Sequence, residues 1–250
     1  MIKVLLALFG TACAWAQPAI APPQIGYVQD RAGVFRPVLG IAGNFLLPDA
    51  DAPVVTSAAF SGRFGLIKTD AVLAVTDVNA QIISEMAAPS GPALFAFTRE
   101  GEPALAYLPN SSTLLQWNGA AFARLAFDLS GIGSVLSIGA PDAEHAAFLV
   151  EREDQVWDVR VVLATGEPDS QAATTYKPPV LMLASGVVVG RETGGFIIRR
   201  PDGRGIHLPA ELPDISEVHQ TGEEWVQAGN FLVRTTAGKE GIFVLPGVGP

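Results

Sequence analysis

The sequence contains little of what disulfide cross-linking, zinc chemistry or nucleic-acid binding requires. It has one cysteine, Cys13, and three histidines among 250 residues, which excludes an intrachain disulfide framework and leaves few nitrogen or sulfur ligands for zinc. Only 16% of the residues are charged, and acidic residues outnumber basic ones by 25 to 16. Nucleic-acid binding depends on clustered Lys and Arg. No such cluster is present, so we expect no nucleic-acid partner.

The first 16 residues have the pattern of a secretory signal peptide. Lys3 precedes a short apolar run, Val4 to Phe9, and small residues follow as far as Ala16. The run is shorter than the roughly 20 apolar residues that a membrane-spanning helix needs, so an uncleaved anchor is the weaker alternative. Cleavage after Ala16 would remove Cys13 and leave residues 17–250, with 25 acidic and 15 basic side chains and a net charge of −10.

A signal peptide implies a secreted or periplasmic location. Its cleavage after Ala16 would leave a mature chain without any cysteine. The competing interpretation is lipid attachment at Cys13, which Gly10 disfavours because attachment motifs prefer a branched apolar residue at that point. Residues 17–24 form a Pro-rich linker, and we expect a single folded domain over residues 25–248. No later window is apolar enough to span a membrane.

The folded region has the pattern of an all-β protein built from repeats. Apolar stretches of four to eight residues alternate with Gly, Pro, Asp and Asn clusters, and no helical period is sustained over a dozen residues. Hairpins recur at an average interval of 41 residues, as marked by Tyr27, Leu73, Leu115, Asp158, Ile197 and Leu232. Two further short strands precede the later hairpins, which gives four strands in each repeat.

Four short strands every 40 or so residues is the spacing of a β-propeller blade. We expect five full four-stranded blades plus an N-terminal partial blade over residues 25–47, which either completes a six-unit ring or caps one edge. Tandem β-sandwiches are the alternative, although they give no reason for a regular period. Within the blades, Asn118-Gly119 suits a two-residue type I′ turn, and Asp202-Gly203 suits the equivalent reversal.

Several segments resemble the degenerate blades of exported bacterial β-propeller repeat proteins. They are Val72–Ile82, Leu94–Phe97, Ala104–Tyr107 and Leu114–Gly119. The resemblance extends over nearly the whole mature chain and rests on blade spacing. No Trp-Asp dipeptide stands at the blade ends as in WD40 repeats, and no Gly-Gly doublet with spaced Tyr and Trp recurs in each unit as in kelch repeats. The Asp box of sialidases is also missing, so the functional residues of those families do not carry over.

Glu217 and His219 are the candidate residues for a binding or catalytic site. They lie two residues apart on the first strand of the last blade, so both side chains are expected on one side of that strand, where they could face the central channel. The alternative is a partly exposed pair near a blade end. The acidic groups at Asp49 and Asp51 and at 151–154 fit solvated turns better than a calcium loop. We therefore predict no catalytic, cofactor-binding or metal-binding residue.

The leading hypothesis is a secreted, non-enzymatic and monomeric interaction module, which binds a protein or glycan partner outside the cytoplasm through the loops of one face or the channel mouth. The alternative is an exported polysaccharide-active enzyme that uses carboxylates around the channel. Convergence of Asp, Glu and His at the channel mouth would favour the enzyme. A channel lined by small and apolar residues would oppose it; the candidates for such a lining are Ala58, Phe97, Ser137 and Ala184.

Overall fold

The computed structural model describes residues 23–29, 34–48, 54–193, 195–208, 215–220, 223–228 and 231–245. Regular structure in these ranges is β-strand, apart from a single 3-10 turn at Pro109–Ser111. The strands pair into six antiparallel sheets, and each sheet is formed from strands that are consecutive in the chain. The all-β architecture predicted from the sequence is therefore confirmed.

The sheets are numbered here in chain order. Sheet 1 has three strands: β1 (Gln24–Gln29), β2 (Phe35–Ile41) and β3 (Asn44–Leu46). Sheet 2 comprises β4 (Ser57–Phe60), β5 (Gly65–Lys68), β6 (Val72–Thr76) and β7 (Ile82–Ala87). Sheet 3 comprises β8 (Leu94–Phe97), β9 (Ala104–Leu108), β10 (Thr113–Trp117) and β11 (Phe122–Arg124).

The remaining three sheets also have four strands each. Sheet 4 comprises β12 (Ser134–Gly139), β13 (His145–Arg152), β14 (Gln155–Val162) and β15 (Pro168–Ala173). Sheet 5 comprises β16 (Lys177–Met182), β17 (Val188–Glu192), β18 (Gly195–Arg199) and β19 (Gly205–Leu208). Sheet 6 comprises β20 (Ile215–Gln220), β21 (Glu223–Ala228), β22 (Phe231–Arg234) and β23 (Gly241–Val244).

The six sheets form a ring, because a separate buried apolar cluster joins each sheet to the next. Sheets 2 and 3, 3 and 4, 4 and 5, and 5 and 6 each share one such cluster. A further cluster joins sheet 6 to sheet 1, and another joins sheet 1 to sheet 2. This is a six-bladed β-propeller. The alternative of tandem β-sandwiches is wrong, since a sandwich pairs two sheets and leaves their outer faces uncovered.

The first strands of the five four-stranded sheets lie toward the centre of the ring. β4, β8, β12, β16 and β20 form a closed cycle in which each strand contacts the next, and β1 contacts β20. Sheet 1 is held against sheet 2 by Tyr27, whose ring stacks on that of Phe60 with 4.6 Å between centroids. The three-stranded sheet is thus wedged between sheets 6 and 2.

Middle strands are apolar on both faces because a sheet covers each face. In β13, all five residues from Ala146 to Val150 are buried; Phe148 packs toward sheet 3, while Ala147 and Leu149 pack toward sheet 5. In the outermost strand β15, all six residues are exposed. This doubly covered interior is why the sequence has so few charges.

The turns at Asn118-Gly119 and Asp202-Gly203 both differ from the predicted two-residue type I′ geometry. The Asn118 N–H donates to Ala121 O at 3.4 Å, so the two central residues are Gly119 and Ala120. Of these, only Gly119 has a left-handed φ, at +91°, whereas a type I′ turn needs two such residues. Asn118 precedes the turn, where its side-chain oxygen accepts the Ala120 N–H at 3.1 Å. The second reversal has three central residues, 201–203, because Arg200 N donates to Arg204 O.

Candidate functional site

One face of the ring carries the turns that follow the inner strands β4, β8, β12 and β16, and two adjoining cavities open there. The first, which we call the mouth, has a volume of about 650 Å³ and is lined mainly by residues 61–63, 97–101, 184–185, 223–224 and 235–237. The second, which we call the inter-sheet cavity, has a volume of about 670 Å³ and lies between sheets 4 and 5, lined mainly by residues 139–141, 158, 160, 172–176, 182–186 and 199–201. Residues common to both linings join the two cavities: Arg99, Ala184, Ser185, Arg200 and Pro201.

Local hydrogen bonds shape the two turns that present arginines at the mouth. The Ser61 hydroxyl accepts the backbone N–H of Arg63 at 3.2 Å, which closes the turn between β4 and β5. In the turn between β8 and β9, Gly101 N donates to Thr98 O at 2.8 Å, so Arg99 lies at the tip. The sequence thus forms tight turns from short polar residues and leaves long cationic side chains outside them.

The turn after β16 is fastened to the neighbouring sheet. Glu224, on β21, accepts the backbone N–H of Ser185 at 2.9 Å with one carboxylate oxygen, and the Ser185 hydroxyl at 2.7 Å with the other. The Ser185 hydroxyl in turn accepts the Val187 N–H at 3.3 Å. Both Glu224 oxygens therefore hold the backbone of sheet 5 in place at the mouth.

The mouth presents two exposed arginines that make no ion pair with described residues. Arg63 and Arg99 are exposed, and neither makes an ion pair within the part of the chain that the structure describes. Glu100, beside Arg99, is also exposed, whereas Arg200 is paired with Glu240. A chain with a formal charge of −9 thus presents at this opening two arginines, Arg63 and Arg99, and two glutamates, Glu100 and Glu224, that make no ion pair with a described residue.

The inter-sheet cavity has polar walls and an apolar floor. Asp158 and Arg160 come from β14 and lie on the same face of that strand, because they are two residues apart. Tyr176 and Arg199 line the opposite wall, from sheet 5 and the segment that leads into it. Apolar side chains beneath them come from both sheets: Ala147, Leu149, Met182 and Val188.

Asp158 is the most unusual group in this cavity. Its Oδ1 atom is shielded from solvent and has no hydrogen-bond partner among the described residues. Burial raises the pKa of the Asp158 carboxyl above its ordinary value of 3.8, although the nearby Arg160 acts in the opposite direction. Burial likewise raises the pKa of the Tyr176 phenol, against the effect of Arg199. The cavity therefore holds a desolvated carboxylate that lacks a donor.

Arg199 forms an ion pair within its own sheet, with Glu192. Glu192 accepts the Thr175 hydroxyl at 2.6 Å and an Arg199 N–H at 2.8 Å. The hydrogen bond from Thr175 is the main cause that lowers the pKa of Glu192, in spite of partial burial, and Arg199 adds to it. Arg160, by contrast, makes no ion pair within the described ranges, which leaves it available to a ligand.

A pH dependence follows from the raised pKa of Asp158, whose described charged or titratable neighbours are Arg160 and Tyr176. The carboxyl of Asp158 binds its proton more tightly in the folded protein than in the unfolded chain. The ionisation of Asp158 therefore lowers the free energy of unfolding as the pH rises from 3.8 through the pKa of the folded state. D158N cannot ionise. We expect the stability of D158N relative to the parent protein to be greater at neutral pH than at acidic pH, as measured by urea denaturation. The control is D169N, on the exposed strand β15; a D158N difference independent of pH would contradict the prediction.

The four side chains expected to line the channel are distributed differently. Phe97 and Ala184 do line the mouth. Ser137 is buried, and its hydroxyl accepts the Met182 N–H at 2.9 Å, so it connects β12 to β16. Ala58 packs in the cluster between sheets 1 and 2.

The sequence-derived candidates Glu217 and His219 remain a prediction. Their backbone lies in β20, where His219 is in register with Glu224, but their side chains lie outside the described part of the structure. Asp49 and Asp51 also lie outside it, while residues 153–154 form an exposed turn. Among the described residues, no three of Asp, Glu, His and Cys are close enough to hold a metal ion.

Sequence reasoning missed Asp158 and Arg160 as functional residues. The signal was present in β14, where Val156, Asp158 and Arg160 alternate with Trp157, Val159 and Val161. A carboxylate and a guanidinium on one face of a strand from the interior of a sheet require either a cavity or a partner. The sequence alone gave no sign that sheet 5 leaves a cavity opposite them.

Comparison with known proteins supports the fold and no particular activity. No protein family profile and no curated protein matches the chain. A chain in the crystal structure of a nidogen/laminin complex matches with a TM-score of 0.60 at 12% identity, over 88% of this chain and 93% of that one. The C-terminal WD40 domain of Sif2 matches with a TM-score of 0.49 at 10% identity, over 91% and 75% of the two chains. Helices long and apolar enough to cross a membrane are not found among the described residues. With its ring of six sheets, the chain is a degenerate β-propeller repeat protein.

Proposed function

We propose that this chain is an exported, non-enzymatic β-propeller, with five complete blades and a three-stranded first blade, that binds a partner at the mouth. The observation that carries the proposal is the pair of exposed arginines, Arg63 and Arg99, on adjacent turns of sheets 2 and 3. Rigid sheets hold both turns, and binding residues commonly lie on loops that a rigid scaffold positions.

The two exposed arginines at the mouth favour an acidic partner. Arginine binds carboxylates, sulfates and phosphates through paired N–H donors, and the remainder of this chain is acidic. The signal-peptide pattern of residues 1–16 supports a partner outside the cytoplasm, either a protein or a glycan. We infer that the mature protein is a monomer that begins at Gln17.

The decisive variant is the double substitution R63Q/R99Q. Tagged protein comprising residues 17–250 would be incubated with the extracellular fraction of its host, cross-linked and recovered. We expect the amount of recovered partner to fall about tenfold or more, because a hydrogen bond to a charged group contributes about 1.5–3 kcal/mol.

The matched control is R124Q, which removes an exposed arginine on the outer strand β11, away from the mouth. Thermal unfolding of each variant separates lost binding from lost folding. Recovery of the same partner in equal amount by R63Q/R99Q would refute the mouth as the contact surface. Equal loss in R124Q would show that the binding is a general effect of charge.

The competing function is an exported polysaccharide-active enzyme. Among the described carboxylates at the mouth, Glu224 holds Ser185 and Glu223 accepts a bond from Lys239 at 3.0 Å. Catalysis would therefore depend on Glu100, which is exposed and makes no ion pair with a described residue, or on the sequence-derived candidates Glu217 and His219. Release of sugar from a host polysaccharide that disappears in E217Q would favour the enzyme over the binding module.

A further inference from the structure

We propose that the inter-sheet cavity binds a short zwitterionic peptide, whose ammonium group lies against Asp158 and whose carboxylate lies against Arg160. This site adjoins the contact surface proposed above and shares Arg99 with its lining, but Asp158 and Arg160 do not line the mouth. Three features of the cavity support the proposal: an unsatisfied acceptor, an unpaired cation beside it, and the size and lining of the cavity.

The cavity contains a carboxylate oxygen that needs a donor. Asp158 Oδ1 is buried without a hydrogen bond from any described residue, and the side chain lines the cavity. Buried polar atoms nearly always have a partner, since a buried acceptor without one loses its hydrogen bond to water. A donor that enters from the cavity would supply the missing bond.

A cationic donor fits Asp158 better than a neutral hydroxyl. A carboxylate removed from water is stabilised most by an opposite charge that also donates hydrogen bonds. The adjacent guanidinium on the same face, Arg160, does not approach within ion-pair distance in the structure. The two charges therefore stand separately, and a ligand with one charge of each sign at its ends could pair with both.

The dimensions favour a peptide of two or three residues. Positions two residues apart on a strand are separated by about 7 Å, and the Arg160 side chain reaches further from the strand than the Asp158 side chain, so the two charges can pair with termini about 7–10 Å apart. An extended peptide of two or three residues has this length. A volume of about 670 Å³ lies within the range of small-molecule sites, roughly 300–1,000 Å³. The floor of alanine, leucine, methionine and valine side chains suits small apolar residues between the two charges.

Isothermal titration calorimetry of the chain with four small probes tests this proposal. Trialanine carries both charges, N-acetyl-trialanine lacks the ammonium group, trialanine amide lacks the carboxylate, and galacturonic acid has a carboxylate and hydroxyls. We expect trialanine to bind and each blocked peptide to bind about tenfold or more weakly. No binding of trialanine up to about 10 mM would overturn the proposal, as would galacturonic acid that binds more tightly than trialanine.

Two substitutions assign the charges, and one serves as a control. D158N keeps the size of the side chain and should weaken trialanine and trialanine amide but leave N-acetyl-trialanine unchanged. R160Q should weaken trialanine and N-acetyl-trialanine but leave trialanine amide unchanged. D169N, on an exposed outer strand, should change none of them.

Thermal unfolding shows whether each variant remains folded. D158N should be at least as stable as the parent protein. It should also recover the same amount of the partner that binds at the mouth. A failure of the peptide proposal would therefore be distinguishable from a failure of the proposed function. Equal trialanine affinity in D158N and the parent protein would overturn the assignment.

Discussion

Replacing Trp225 with alanine is expected to lower the free energy of unfolding by about 3–5 kcal/mol. Trp225 is 1% exposed and belongs to the cluster that joins sheet 6 to sheet 1. Its ring meets Phe45 edge-on with 6.0 Å between centroids and Phe243 at 5.6 Å. The loss would combine buried apolar area with a cavity at the junction between the first and last sheets, as measured by urea denaturation.

The control for W225A is I83A. Ile83 is a large apolar residue on β7 that is 61% exposed, so its truncation should cost less than about 0.5 kcal/mol. If W225A costs no more than I83A, sheet 6 is not packed on sheet 1 as the structure has it, and the ring is open. If W225A caused only local unfolding of sheet 6, the ring would likewise be open between sheets 6 and 1.

Replacing Gly40 with alanine is expected to cost about 3 kcal/mol or more. Gly40 lies in β2 with φ +116°, a conformation that strains other residues by about 1–3 kcal/mol. An added Cβ would also lie 2.2 Å from the backbone oxygen of Asn44. A backbone atom cannot rotate away as a side chain can, so the β2–β3 hairpin would have to shift. The measurement is the free energy of unfolding in urea.

Gly43, in the same hairpin, provides the matched control. Its φ is +86°, and the nearest atom to an added Cβ is Phe243 Cδ1 at 3.9 Å. G43A should therefore cost only the conformational strain, about 1–2 kcal/mol. Similar losses for G40A and G43A would refute the close approach at Asn44. Because Gly40 pairs with Phe45 and Phe45 packs on Trp225, the free energy of unfolding lost in G40A/W225A should be less than the sum of the losses in the two single variants.

The repeat pattern made the blades predictable from sequence. Alternation of short apolar stretches with turn residues is a local property, and the strands of sheet 3 follow it from Leu94 to Arg124. The central residues of the turn between β10 and β11 are Gly119 and Ala120, one residue later than the predicted pair Asn118-Gly119. An Asn-Gly pair indicates where the chain reverses, but it does not specify the register of the strands on either side. Register depends on which residues the neighbouring sheets bury.

The candidate site was much less predictable. Arg63 and Arg99 are separated by 36 positions in the sequence, and they line one opening only because successive sheets place corresponding turns on one face. Asp158 is a candidate only because sheet 5 covers it and leaves its Oδ1 atom buried without a donor. The same carboxylate on a fully exposed strand would be hydrated.

By itself, the sequence determined the strand composition, the repeat length near 41 residues and the acidic, cysteine-poor character of this chain. Those properties depend on side-chain alternation and turn residues within a few positions of one another. Only the tertiary structure decided that six clusters close the sheets into a ring and that Asp158 is left without a donor. These features depend on contacts between residues far apart in the chain, and no local pattern specifies which polar atoms such contacts will leave unsatisfied.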